Sequence, residues 1–181
     1  MRWLWIDSVV AFEPERRMAA VKNVSLAEEH LHDHFPPEGE LPAQPIMPAS
    51  LILEGMAQTA GILVGSVNAF REKVILAKVA LFEMDEDVVA GQCLRYDAHI
   101  ERLDPAGAAA EGTIERLDHR DGEWRSIGRA SLMFSHIDQN RAGVEFPEHN
   151  FVFGPNFRVI LESSGLSRFI TPSQAPPSAK N

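Results

Sequence analysis

Two side chains capable of acid–base chemistry stand out in this sequence: a histidine in a proline-rich stretch and a single glutamate in an apolar one. His34 begins a His-Phe-Pro turn, and Glu54 is the only charged residue between Ile46 and Phe70. Because an unpaired carboxylate is costly to bury, Glu54 should either stay protonated or take a partner, and both conditions are typical of catalytic acids. The alternative for Glu54 is a structural role at a turn or at the surface.

The elements that must position these residues are a loop and a long helix. The loop covers about 32–48, is rich in proline and ends at Pro48, which suits the first turn of a helix. The helix, about 49–70, is apolar almost all round, so other structure should enclose it.

The rest of the chain supplies strands to enclose that helix. Alternating and β-branched patterns, separated by turn residues, predict strands at 3–12, 16–26, 73–84, 92–103, 108–117 and 123–137. Two strands, one helix and a meander of four strands predict an α+β hot-dog fold, in which an antiparallel β-sheet wraps around one long central α-helix.

The sequence also suggests a division into three parts. Residues 1–140 would form the hot-dog domain, and 141–170 an extension packed on the domain or on a neighbouring subunit. Segments 150–153 and 157–161 of this extension are interpreted as short strands or a packed arm. The Pro/Ser-rich tail 171–181 should be disordered.

Composition narrows the function classes. The chain has 181 residues, 45% hydrophobic and 24% charged, as in a soluble globular protein, and its net charge of -9 argues against nucleic acid. The single cysteine, Cys93, and an N-terminus without the pattern of a signal peptide predict the reducing cytoplasm. Residues 46–67 are apolar, but Pro48, Glu54 and Gln58 interrupt them, which favours a buried helix over a membrane span.

Several blocks in this order resemble the β-hydroxyacyl-acyl-carrier-protein dehydratases of FabZ/FabA type. The resemblance covers about 3–137, and its most specific part is a His-Phe-Pro turn followed by a Glu-x-Met-Ala-Gln helix. The blocks are Ile6-Asp7 with Val9, Lys22-Asn23-Val24-Ser25, His34-Phe35-Pro36, Pro45-Ile46-Met47-Pro48 and Leu53-Glu54-Gly55-Met56-Ala57-Gln58.

The resemblance implies removal of water from a (3R)-3-hydroxyacyl thioester to give a trans-2-enoyl thioester, in fatty-acid or related lipid or polyketide biosynthesis. It implies an acyl carrier protein or CoA thioester as substrate, and neither a metal nor an organic cofactor. It also implies a homodimer, sometimes a hexamer, whose active sites join His34 of one subunit to Glu54 of the other. A glutamate at position 54 matches the FabZ branch, since the FabA branch has aspartate there.

Such a dehydration needs a base, an acid and a group that stabilises charge on the thioester oxygen. His34 fits the base, because a neutral imidazole accepts a proton near neutral pH. Glu54 fits the acid, or holds the water that delivers the proton. The backbone N–H of Ala49, with Ser50 second, fits the oxygen, because helix N-termini favour negative charge. The family usually has glycine where Ala49 stands, but alanine keeps the N–H.

Three further residues complete the predicted site as supporting positions. Gln58 lies one helical turn after Glu54 and could orient its carboxyl. Phe35 and Pro48 flank the catalytic histidine and the helix start.

Other interpretations remain open at this point. His30, His32 and His34 would share one face of an extended segment and, with Asp33, resemble a metal cluster, but the other histidines show no ligand pattern. We therefore predict no metal. A hot-dog thioesterase is the second alternative.

The third alternative is a non-catalytic hot-dog module that binds acyl groups or a partner. Eight residues, 37–44, separate the His-Phe-Pro turn from the next block where the family has about two, and this insertion could displace His34 or cover the site. Segment 81–87 is acidic, which would repel an acidic carrier protein at an entrance.

Overall fold

The computed structural model describes residues 4–32, 34–137, 150 and 152–169. Segment 141–149 and the tail 171–181 lie outside the described residues. The elements are β1 (Ser8–Glu13), β2 (Arg17–Asn23), α1 (Glu29–His32), α2 (Ala49–Val67), β3 (Val74–Met84), β4 (Gln92–Asp104), β5 (Gly107–Asp118), β6 (Glu123–His136) and α3 (Pro155–Ser163), followed by a 3₁₀ turn, Ser167–Phe169.

The strands form one antiparallel six-stranded sheet in the order β1-β2-β4-β5-β6-β3. Helix α2 packs against strands β2 to β6 and fills the core. This arrangement is the predicted hot-dog fold. Strand β3 is the edge next to β6, and its middle is exposed, which leaves a row of backbone groups available for pairing.

The close packing of α2 on the sheet depends on small residues. A methyl at Gly55 would overlap the ring of Tyr96 on β4, which is fully buried, and one at Gly112 on β5 would overlap Met56. Helix α2 is long and apolar enough to cross a membrane by length and composition, but most of it is buried inside the fold. Its apolar character is therefore that of a core helix.

Two elements differ in type from the sequence prediction. Residues Glu29–His32 form the short helix α1, so His30 and His32 do not alternate along an extended strand. Residues 157–161, interpreted as a short strand or a packed arm, belong to helix α3, so the strand alternative is wrong. Pro155 at the first helical position explains the helix start, because its fixed φ and missing N–H suit that position.

Candidate active site

Glu54 lies on α2, and its carboxyl is held by a hydrogen-bonded chain that reaches the N-terminal segment. The side-chain amide of Gln58 donates to Glu54 Oε1 over 2.9 Å, and the backbone N–H of Trp5 donates to Gln58 Oε1 over 2.9 Å. Gln58 is only 5% exposed. The spacing of one helical turn that suggested this contact is therefore realised, and Trp5 is a member of the site that sequence reasoning missed.

His34 is half-buried and is anchored through its own ring. Its Nδ1 lies 2.5 Å from the backbone oxygen of Ile46. Because a carbonyl can only accept, Nδ1 carries the proton, and in the neutral ring Nε2 is left with its lone pair. The ring of Phe35 lies 4.3 Å away between centroids. Phe35 has a φ of 57°, a left-handed conformation that is strained for a bulky residue.

The insertion 37–44 forms a turn of its own. Glu38 and Leu41 exchange backbone hydrogen bonds of 3.1 and 3.0 Å, and the N–H of Gln44 donates to Phe35 O over 2.9 Å. Residues 37–44 are all exposed. The added residues therefore project outward from a base that is closed by the Gln44–Phe35 hydrogen bond. The hydrogen bond from His34 Nδ1 to Ile46 O is present beside this base.

The start of α2 offers backbone donors. The amides of Leu51 and Ile52 donate to Pro48 O over 2.9 and 3.2 Å. Ala49 and Ser50 precede them in the first turn, where an amide has no acceptor within the helix, and both residues are exposed. Proline at the N-cap position supplies no side-chain cap, so the helix start keeps backbone donors of the kind that bind anions.

An apolar cavity of about 460 Å³ lies beside Glu54. Glu54 and Gln58 are its only polar lining side chains among the described residues, and α2, β3, β6 and the C-terminal extension supply the apolar walls. His34, Ala49 and Ser50 are not among the described residues that line it. One chain therefore does not bring the predicted base and the predicted acid together in this cavity.

The histidines near the loop have separate surroundings. His32 Nε2 lies 2.5 Å from Leu26 O, whereas the ring of His30 meets Trp5 edge-on at 5.0 Å. Burial is the main cause that lowers the pKa of His30. In the described part of the chain, no three histidine, cysteine or acidic side chains are grouped to hold a metal ion; Asp33 lies outside it.

The acidic segment 81–87 is partly neutralised. Glu83 pairs with Arg129 on β6, and Glu86 pairs with Arg116 on β5, each with an N···O distance of 2.7 Å. Two of its acids therefore have basic partners, which reduces the repulsion expected toward an acidic carrier protein.

Comparison with known proteins gives the family. The model of the FabA-like domain matches residues 1–115. A 3-hydroxyacyl-[acyl-carrier-protein] dehydratase FabZ of Listeria monocytogenes is 34% identical over 137 residues, which cover 75% of this chain and 87% of that protein. The FabZ of Ruminiclostridium cellulolyticum is 32% identical over 124 residues, covering 67% and 83%.

Solved structures agree on the fold. The dehydratase heterocomplex ApeI:P from Xenorhabdus doucetiae has a TM-score of 0.56 at 14% identity, covering 76% of this chain and 84% of that one. An acyl-CoA hydrolase from Staphylococcus aureus, in complex with butyryl coenzyme A, has a TM-score of 0.51 at 13% identity, covering 68% and 66%. At such low sequence identities these structural similarities support a shared fold and nothing more. The resemblance seen in the sequence blocks is confirmed by the family match, and the chain belongs to the FabA-like family.

Proposed function

We propose that this protein is a 3-hydroxyacyl-[acyl-carrier-protein] dehydratase, a hydro-lyase of fatty-acid biosynthesis that converts a (3R)-3-hydroxyacyl thioester into the trans-2-enoyl thioester. One observation carries the proposal. Among the residues that the structure describes, the carboxyl of Glu54, oriented by Gln58, is the single acid on the wall of an apolar cavity large enough for an acyl chain.

His34 is the base in this reaction. Its Nε2 lone pair takes a proton from the α-carbon, while the hydrogen bond from Nδ1 to Ile46 O fixes the tautomer and steadies the imidazolium that forms. The electrons of the broken C–H bond move toward the thioester oxygen, where the N–H of Ala49, with Ser50 beside it, stabilises the negative charge.

Glu54 is the acid. It gives a proton to the hydroxyl on the β-carbon, directly or through one water, and that hydroxyl leaves as water as the double bond forms. The overall balance is one substrate converted to one enoyl thioester and one water, with His34 and Glu54 returned to their starting states by proton exchange. No metal and no organic cofactor takes part in these steps.

A second copy of the chain completes the site. This proposal is supported by the separation of His34 from the cavity of Glu54 within one chain and by the exposed edge strand β3. Leu76 and Val79 on that strand are each 39% exposed, an apolar surface that a neighbouring subunit would cover. The protein therefore forms a homodimer with two shared sites, the unit from which a hexamer would be built.

The thioester is carried by acyl carrier protein, with a CoA thioester as the alternative carrier. A cytoplasmic location is consistent with the single buried cysteine, Cys93, which has no partner for an internal disulfide.

The experiment is to incubate the protein with 3-hydroxyacyl thioesters on carrier protein or CoA and to follow enoyl absorbance. His34→Ala and Glu54→Gln should each abolish turnover, whereas the matched controls His32→Ala and Glu101→Gln, both at exposed positions, should retain it. Undiminished turnover in both site variants, or no turnover in wild type, would refute the proposal. Release of free thiol without enoyl formation would identify a thioesterase instead.

The shared site has its own test. Co-expressed His34→Ala and Glu54→Gln chains form mixed dimers with one intact site each, so random pairing should restore about a quarter of wild-type activity. If both residues acted within one chain, mixing would restore none. Lys substitution at Val79, on the exposed edge, should dissociate the dimer, which sedimentation velocity would show. The same variant should lose its activity.

A further inference from the structure

The cavity beside Glu54 follows one face of α2 toward the helix C-terminus. Glu54, Gln58, Gly61 and Gly65 are spaced four, three and four residues apart, so they form one stripe along the helix. The first three of them line the cavity. At 1.5 Å per residue, the stripe from Glu54 to Gly65 is about 16 Å long. An acyl chain whose β-carbon lies at Glu54 would extend along this stripe.

The far end of the stripe is closed by an aromatic side chain from the C-terminal extension. Phe153 lies so close to Gly65 that a methyl on this glycine would overlap its ring. Phe153 is 7% exposed and lines the cavity together with Phe157. Its ring meets Phe70 edge-on at 5.0 Å and Phe157 at 5.8 Å. Three aromatic rings therefore form a wall across the stripe.

This wall is fastened on both sides. Before it, the Asn150 amide donates to Phe70 O and Glu72 O, each over 2.9 Å, and Asn150 Oδ1 accepts from Phe153 N over 3.3 Å. After it, at the end of α3, Ser164 Oγ accepts a hydrogen bond of 2.9 Å from the backbone N–H of Val9 on β1. A wall held by buried and partly buried hydrogen bonds at its two ends keeps its position when a ligand presses against it.

We propose that Phe153, held in place by the C-terminal extension, sets the longest acyl chain that the cavity accepts; this inference rests on the proposed function. The cavity from Glu54 to Ile62 spans about 12 Å along the helix. At about 1.3 Å per carbon along an extended chain, it holds about nine carbons beyond the β-carbon, a total of about twelve. Longer acyl chains meet the ring of Phe153.

The test compares kcat/KM for 3-hydroxyacyl thioesters of short, medium and long acyl chain, about four, ten and sixteen carbons. Wild type should have a higher kcat/KM for the short and medium acyl chains than for the long one. Phe153→Ala should raise the ratio of long-chain to medium-chain kcat/KM about tenfold or more, because the wall is removed. Phe153→Leu, a smaller change, should raise it less. Gly61→Ala adds a methyl to the middle of the cavity and should lower the medium-chain value relative to the short-chain one.

Two substitutions in α3 serve as controls. Val159→Ala is at an exposed position, and Leu161→Ala is at a buried one, and neither residue lines the cavity. Leu161→Ala truncates a buried side chain and so loosens the packing of the extension. Both controls should nevertheless leave the ratio of long-chain to medium-chain kcat/KM unchanged. An equal shift in Leu161→Ala would mean that the extension acts through stability alone, which would overturn the assignment to Phe153.

A binding measurement separates this inference from the proposed function. Saturated acyl-CoA thioesters of the same lengths cannot be dehydrated, and their Kd values are obtained by calorimetric titration. If wild type dehydrates no substrate, the proposed function fails, and the length limit is then decided by whether Phe153→Ala tightens long-chain binding. A length profile that stays unchanged in both Phe153 variants, in turnover and in binding, would overturn the inference.

Discussion

The side-chain amide of Gln58 donates a hydrogen bond to Oε1 of Glu54, and the direction of that bond is fixed from the other side. The Trp5 N–H can only donate, so it must face Gln58 Oε1, which turns the NH₂ group toward Glu54. Oε1 of Glu54 is then occupied as an acceptor. When Glu54 is protonated, its proton therefore belongs on Oε2, the oxygen available to a substrate hydroxyl.

Removing this donor should reduce kcat more than it changes KM. Gln58→Met keeps the length of the side chain but cannot hold the carboxyl, and loss of such an orienting partner should lower kcat about 10- to 100-fold. Steady-state kinetics should show this as a loss of kcat with little change in KM, a split that a merely structural defect would not cause.

The matched control is Gln92→Met. Gln92 is buried to a similar degree and bonds Asp118 over 3.2 Å, away from the cavity. The control should lower stability and leave kcat near wild type. Equal losses of kcat in the two variants would remove the orienting role from Gln58.

Shortening the inserted loop should leave the chemistry in place. The turn between Glu38 and Leu41 is closed by its own backbone bonds, and its base is closed by Gln44 to Phe35. Deleting 38–41 should therefore keep turnover within about threefold of wild type, since surface loops tolerate such changes. Enoyl formation is the measurement. A fall to the level of His34→Ala would show instead that the loop positions the histidine.

Two glycines of α2 should respond in opposite ways to the same substitution. Gly55→Ala forces a methyl into the buried ring of Tyr96, and such overpacking should lower the free energy of unfolding by about 1–3 kcal/mol. The methyl added by Gly61→Ala would meet only Phe134 Cε1 at 3.5 Å, an ordinary contact. Because alanine has the better helix propensity, this substitution should raise the free energy of unfolding by about 0.5–1 kcal/mol.

Chemical denaturation of both variants gives the comparison. If Gly55→Ala were as stable as wild type, the close approach of α2 to β4 would not be needed for the fold.

The strands and the central helix could be predicted from the sequence because each has a local pattern: alternation in the strands, and an apolar segment after Pro48 in α2. The contact from Gln58 to Glu54 was predictable for the same reason, since helical periodicity alone brings residues four apart together. Strand β1 begins at Ser8 and not at residue 3, and the amide of Trp5 in front of it bonds Gln58 instead of a strand.

The remaining features depend on contacts between distant parts of the chain. Trp5 and Gln58 are 53 residues apart, and no local sequence pattern predicts their hydrogen bond. Phe153 falls at the end of segment 150–153, which the sequence predicts only as a short strand or a packed arm, and its place opposite Gly65 is set by tertiary packing. Helix α1 has a single turn, so it lacks the length that periodicity needs.

His30 should make the fold less stable as the pH falls below neutral. Burial is the main cause that lowers its pKa from the ordinary 6.5; Lys22 and His34 lower it further, and Glu28 opposes them. Its Nε2 is buried without a hydrogen-bond partner among the described residues. At a pH well above 6.5 the imidazole is neutral in both states and contributes no pH dependence. As the pH falls through 6.5 the unfolded chain takes up the proton first, so stability decreases until the lowered folded pKa is passed.

His30→Phe keeps an aromatic ring against Trp5 but cannot titrate, so its stability should decline less than that of wild type between about pH 7 and pH 5. His119→Phe is the control, because His119 is exposed in the turn between β5 and β6 and should leave the wild-type slope unchanged. Urea midpoints at several pH values measure the difference. Parallel curves for His30→Phe and wild type would mean that the buried ring accepts a proton as readily in the folded chain as in the unfolded one.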